Sequence, residues 1–137
     1  MILNAIEDSG DELARSKLQL LYRPVDIFVR ADSGRITQVI SNLLNNALKF
    51  TEEGSITVEA HKDGRDILFS VSDTGSGIDP EIMPRLFTKF ATKSTRGTGL
   101  GIFISKSILE AHGGEIWGEN NNEGGGATLS FTLPALQ

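Results

Sequence analysis

Asp73-Thr74-Gly75-Ser76-Gly77-Ile78 and, further along, Arg96-Gly97-Thr98-Gly99-Leu100-Gly101-Ile102 are two glycine-rich turns set between strongly patterned segments. Glycine lets the backbone approach a ligand closely and present consecutive N–H groups to a phosphate. Asp73 closes an alternating segment and opens the first turn. A carboxylate there accepts a hydrogen bond from an exocyclic amine such as N6 of adenine, while the glycines let the loop wrap a flat ring. Read alone, Asp-Thr-Gly-Ser-Gly is equally an ordinary turn. The second run precedes a helical pattern, where exposed N–H groups and the helix dipole favour phosphate. Taken singly, it is also what any loop-to-helix junction carries.

The segment upstream adds a third part. From Asp32 or Ser33, which caps it, Ile36, Val39, Ile40, Leu43, Ala47 and Phe50 follow the helical period. At about 100° per residue, Asn42, Asn46 and Lys49 fall within roughly 60° of arc beside that stripe. One helix thus offers two amide oxygens and an ammonium to one ligand. Mg²⁺ keeps several waters and takes one or two protein oxygens, and a lysine suits phosphate charge. A solvated polar flank is the commoner fate of such residues alone. Three segments in this order read together as a nucleotide site.

Elsewhere, residues 2–16 carry Ile2, Ile6 and Leu13 on one helical face, interrupted at Gly10, where Ser9 and Glu12 form a capping box. Leu18, Leu20 and Tyr22 alternate as a strand ending before Pro24, and Ile27-Phe28-Val29 reads as another. Gly54 ends the long helix. Ile56, Val58 and Ala60 alternate, as do Ile67, Phe69 and Val71, around a Lys62-Asp63-Gly64-Arg65 hairpin turn. Asp79-Pro80-Glu81 predicts a short helix. Residues 88–98 are polar and aperiodic, as a mobile loop would be. A helix follows from Leu100 to His112, with Ile104, Ile108 and Ala111 on its stripe and Gly113 as C-cap. Glu115–Glu119 and Ala127–Leu133 are strands joined by the turn Asn120–Gly126. The order predicts an α/β (α+β) two-layer sandwich: a mixed, mostly antiparallel sheet with helices on one face.

Composition narrows the class. At 137 residues the chain reads as a single domain with a proper core. A net charge of −5 argues against a dedicated nucleic-acid binder, although Lys89, Lys93 and Arg96 cluster locally. With no cysteine there is no disulfide, thiolate site or thiol nucleophile, which fits a cytoplasmic setting. No apolar run reaches the roughly 20 residues a membrane span needs, and the start lacks a signal peptide's basic flank. His61 in a strand and His112 at a helix end lack the company of a metal site. His112 reads as a helix C-terminal charge or a cap, and Trp117 as a strand residue packing on the sheet. Phe87 and Phe90 border the polar loop, packed in the core or docking a partner.

These residues resemble a known family. Asn42-Leu43-Leu44-Asn45-Asn46-Ala47-Leu48-Lys49-Phe50 is similar to the asparagine box of sensor histidine kinases. Asp73–Ile78 resembles their first glycine box, Phe87-Thr88-Lys89-Phe90 their phenylalanine box, and Gly97–Ile102 their second glycine box. His112-Gly113-Gly114 and Gly126–Pro134 resemble the end of that domain. The likeness runs over residues 32–134, with 1–31 matching only by pattern.

The resemblance implies the Bergerat ATP-binding fold, with 88–98 as the lid over the phosphates. It implies ATP and Mg²⁺ as ligands, with Asn46 on the metal and Asn42 and Lys49 near the phosphates. Phe50 stands near the nucleotide, and Asp73 reads adenine. Gly75, Gly77, Ile78, Gly97, Thr98, Gly99, Leu100, Gly101 and Thr128 complete the expected nucleotide contacts. Lys93 and Arg96 are the lid cations expected to act on the γ-phosphate. ATP-hydrolysing relatives carry a glutamate where Asn42 stands; an amide cannot be a general base, so transfer to a partner side chain fits better than hydrolysis. Neither histidine lies in a long helix followed by Glu or Asp, as the family's acceptor does. The expectation is therefore a protein histidine kinase catalytic domain, cut from a larger kinase or free-standing, that does not phosphorylate itself without an acceptor domain. Its implied partners are a helical dimerisation and phosphoacceptor domain and a response regulator. No nucleic acid and no membrane contact are expected, and the isolated domain is expected to be a monomer. A serine-directed kinase of the anti-sigma-factor type and a non-catalytic nucleotide-sensing domain are the alternatives.

Overall fold

The computed structural model describes residues 2–8, 17–22, 31–51, 53–89, 100–122 and 125–135. Five strands form one sheet: β1 (Lys17–Tyr22), β2 (Glu53–Asp63), β3 (Asp66–Asp73), β4 (Glu115–Asn120) and β5 (Ala127–Pro134). Their spatial order is β1-β2-β3-β5-β4. β1 runs parallel to β2, and every other pairing is antiparallel. Among the described residues three α-helices accompany the sheet: α1 (Ile2–Asp8), α2 (Ser33–Phe50) and α3 (Gly101–Ala111). The fold is thus the mixed two-layer sandwich that the element order predicts.

α2 forms where its sequence dictates. The Asp32 carboxylate accepts the Arg35 N–H at 3.1 Å and caps the first turn, a bond worth about 1 kcal/mol. Its buried face is Ile36, Val39, Ile40, Leu43, Leu44, Ala47 and Leu48, which repeat at helical spacing. α2 packs between α1, which contributes Ala5, and α3. Below the helices lie Ile56, Val58, Phe69, Val71, Leu129, Phe131 and Leu133, alternate residues of neighbouring strands. Phe69 and Phe131 are direct cross-strand partners, with ring centroids 4.7 Å apart and planes at 29°. The opposite face of the sheet carries Thr, Ser and charged residues, with Leu21 and Trp117 exposed.

Several expectations need correction. α2 stops at Phe50, and Gly54 already lies in β2 rather than ending the helix. Thr51, extended at φ −126°, breaks the helix. Asp79 caps a turn by accepting the Glu81 N–H at 2.8 Å, but only a 3₁₀ turn, Met83–Arg85, follows. On α3 the buried positions are Ile102, Ser105, Ile108 and Leu109, whereas Ala111 is exposed. His112 takes the cap role, one of its two sequence readings, as the C-cap of α3. Its Nε2 accepts the Asp32 N–H at 3.1 Å and its Nδ1 faces the Ile108 carbonyl at 2.8 Å, so Nδ1 holds the proton. The expected strand at Ile27–Val29, the Ser9–Glu12 capping box, Leu13, Phe90 and most of the 88–98 loop lie outside the described residues.

Candidate nucleotide site

The first glycine turn leaves the C-terminal end of β3 beside the end of α2. Asp73 is the last residue of that strand, paired with Ile56 and buried. Its Oδ1 accepts the Gly75 N–H at 2.9 Å and the Ala127 N–H at 3.2 Å. No backbone N–H of the described residues donates to Oδ2, the oxygen that faces an outside donor. Burial pushes the carboxyl above the usual carboxylate range, while the Gly75 and Ala127 N–H groups and the Thr51 hydroxyl act against it. That hydroxyl is buried and stands close enough to Asp73 to favour its charged form.

Two glycines let the chain close around this carboxylate. A side chain at Gly75 would run into the Phe50 carbonyl and meet the Thr51 hydroxyl at 2.7 Å. Gly126 has φ +83°, and a Cβ there would strike the Asp73 carbonyl. The Ser76 N–H donates to the Phe50 carbonyl at 3.2 Å, joining the first glycine turn to the end of α2. At the far side of the turn, Asn120 grips Ile78 twice, accepting its N–H at 2.7 Å and donating to its carbonyl at 3.1 Å.

A polar network backs the Asp73 turn. Asn121 donates to the Asp73 carbonyl at 3.0 Å, the Gly125 carbonyl at 3.1 Å and Ser72 Oγ at 3.3 Å. Thr128 Oγ1 lies 2.6 Å from Asn121 Oδ1 and 2.9 Å from Ser72 Oγ. The Asn121 amide is therefore locked, and Thr128 stands beside the carboxylate's strand. Thr51, Asn121 and Gly126 were not singled out from sequence as site residues. Gly126 sits within the domain-end motif and was legible there. Thr51 and Asn121 look like any turn residue until the fold folds them onto Asp73.

The asparagine helix meets the second glycine run. The Asn42 amide nitrogen donates to the Gly101 carbonyl at 3.1 Å and to Ser105 Oγ at 3.2 Å. Asn46 is half-buried on the same face, and no described residue bonds its amide. The Lys49 ammonium lies 4.9 Å from the centre of the Phe50 ring. Asn42, Asn46, Lys49, Phe50, Asp73, Gly75, Gly77, Ile78, Leu100, Gly101 and Thr128 are thus all placed by the described elements. Lys93, Arg96, Gly97, Thr98 and Gly99 lie outside the described residues. Phe87 is half-buried against the core with the Lys106 ammonium 5.9 Å from its ring. Among the described residues no group of three or more His, Asp and Glu side chains could hold a metal. No helix among the described residues is long and apolar enough to cross a membrane.

The profile of the histidine kinase-, DNA gyrase B- and HSP90-like ATPases matches residues 31–137. The sensor protein KdpD of Clostridium acetobutylicum is 38% identical over 98% of this chain, which spans 16% of that protein's length. The nucleotide-free catalytic domain of the histidine kinase ThkA superposes with a TM-score of 0.86 at 33% identity, covering 97% of this chain and 89% of that one. Full-length ShkA, solved in complex with AMPPNP, superposes at 0.84 with 30% identity, covering 99% of this chain and 29% of its own.

Proposed function

The chain belongs to the histidine kinase-, DNA gyrase B- and HSP90-like ATPase family, and from that premise we propose that it binds ATP with Mg²⁺ and donates the γ-phosphoryl group to a histidine on a separate helical dimerisation domain. The observation that carries this reading is the buried Asp73 carboxylate, with Oδ1 occupied by two N–H groups and Oδ2 open to a base amine. Adenine offers such a donor; guanine presents a carbonyl at the matching position. The buried Thr51 hydroxyl beside it supplies a further polar contact for the base edge, or for a water on it. The ATP analogue bound in ShkA supports the same ligand here.

Asn46 fits as a magnesium ligand, since no described residue bonds its amide. The ion would neutralise the charge between the β- and γ-phosphates. Lys49 follows as a phosphate contact, and Lys93 and Arg96 as the cations that close on the γ-phosphate. In transfer, an imidazole nitrogen of the acceptor forms a bond to the γ-phosphorus. The bond to the β–γ bridging oxygen breaks, and ADP leaves with its electron pair. Catalysis of this kind rests on positioning and charge rather than on covalent chemistry by the protein. With an amide at position 42, nothing there deprotonates water, which favours transfer over hydrolysis. By the same route the working partners are the phosphoacceptor domain and a response regulator, in the cytoplasm.

The test is incubation with γ-labelled ATP, alone and with the phosphoacceptor domain of a sensor kinase. Acid-labile label on the acceptor, with almost none on the chain itself, is the expected result. Phosphate on serine would move the reading to a serine-directed kinase. Robust hydrolysis, or labelling of His61 or His112, would overturn it.

A further inference from the structure

Asn42 reaches the second glycine run through one end of its amide only. That end contacts the Gly101 carbonyl at 3.1 Å and Ser105 Oγ at 3.2 Å. A carbonyl oxygen only accepts hydrogen bonds, so the group facing it must be the NH₂ and not the oxygen. Ser105 is itself fully buried, and its hydroxyl donates to the same Gly101 carbonyl at 2.8 Å. With its proton so committed, the Ser105 oxygen has only lone pairs left to offer Asn42. Both amide protons of Asn42 thus have acceptors on the first turn of α3, and the amide cannot flip without leaving two acceptors facing its oxygen.

We infer that Ser105 is a positioning residue: with the Gly101 carbonyl it fixes the Asn42 amide so that Asn42 serves the nucleotide site only through Oδ1. An amide oxygen accepts; it cannot donate to a phosphate oxygen. What it can hold is Mg²⁺ or a water of the ion's shell. Asn42 and Asn46, one helical turn apart, then form an acceptor pair for the hydrated ion, while phosphate donors come from elsewhere. The same bonds tie α2 to the residue at which α3 begins. The metal side of the site and the root of the second glycine run are therefore held by a single side chain. Ser105 stands outside the glycine and asparagine motifs, on the buried face of α3, which is why its pattern reads as plain core.

The inference rests on the proposed ATP–Mg²⁺ site, and its test separates the two. Ser105→Ala keeps a small, helix-favouring residue, so the fold tolerates it. Calorimetry of ATP binding with and without Mg²⁺ should show a metal enhancement reduced about tenfold in the variant, the scale of a lost outer-shell partner. Metal-free ATP affinity should stay within about twofold of the parent. In an amide-resolved NMR spectrum of the free chain, the Asn42 side-chain NH₂ signals should shift in the variant. An unchanged metal enhancement overturns the inference, and so do equal losses with and without metal, which would mark Ser105 as structural only. If the parent chain binds no nucleotide, the functional reading fails instead. The NMR arm then decides on its own, and unmoved Asn42 signals overturn the inference.

Discussion

The backbone N–H of Asp32 donates to Nε2 of His112, 3.1 Å away across a sequence separation of 80 residues. The bond joins the cap of α2 to the end of α3, while Asn42 joins the middle of α2 to the start of α3. The two helices are thus fastened at both ends of their contact. Replacing His112 by Ala removes the bonds to Asp32 and Ile108 and should lower stability by about 1 kcal/mol, with ATP affinity kept within about twofold. Urea midpoints and a nucleotide titration measure both. An unchanged midpoint would show the clamp to be idle.

Asp73→Asn should cost about 2 kcal/mol of ATP affinity, roughly thirtyfold, because the acceptor facing the base amine is replaced or turned into a donor. Titration of ATP and GTP against parent and variant checks this. Equal ATP binding in both would remove Asp73 from base recognition.

The same substitution should leave the protein more stable, not less, near neutral pH. Burial raises the Asp73 carboxyl in the folded state above its unfolded value, so the fold prefers the proton on. The associated stability is present below the unfolded value and is lost as pH rises through the folded one. Asn keeps an acceptor for the Gly75 and Ala127 N–H groups and never ionises. The advantage of Asp73→Asn should therefore be absent in acid, grow above the ordinary carboxylate range, and then level off. Urea melts of both proteins over a pH series decide it, and a gap independent of pH would contradict the argument.

Asn46→Ala should weaken ATP binding in Mg²⁺ by about tenfold or more while leaving metal-free adenosine binding nearly unchanged. Calorimetry with and without the ion reads the difference. A variant that retains the full magnesium effect would assign the metal to another residue.

Gly126→Ala should destabilise the fold by more than about 2 kcal/mol. It places a side chain at positive φ and drives it into the Asp73 carbonyl. Thermal unfolding of the variant measures it; a loss under about 0.5 kcal/mol would mean that the β3–β5 junction yields.

Much of this was legible in the chain. The period of Ile36 to Phe50 and the Asp32 cap specify α2 because a long amphipathic helix repeats its signal over several turns. Asp73 and its glycines mark the strand end for the same reason that they form the site: a carboxylate followed by residues without side chains. The parallel pairing of β1 with β2 was not legible, since the alternation of Leu18, Leu20 and Tyr22 states a face and not a neighbour. The inward turn of Ile102, Ser105 and Leu109 was hidden because α3 is apolar on most of its circumference, which blurs its period. Thr51 and Asn121 acquire meaning only through contacts that span the chain. Asn42 was legible as a site residue, but the direction of its amide depends on Gly101, 59 residues away.

Asp73 hangs from β3, the third of five strands, with partners on both sides. In the proposed function, the base would therefore be read from a strand held by a ladder on each side. A change of nucleotide would then demand a change in the middle of the sheet rather than at its margin.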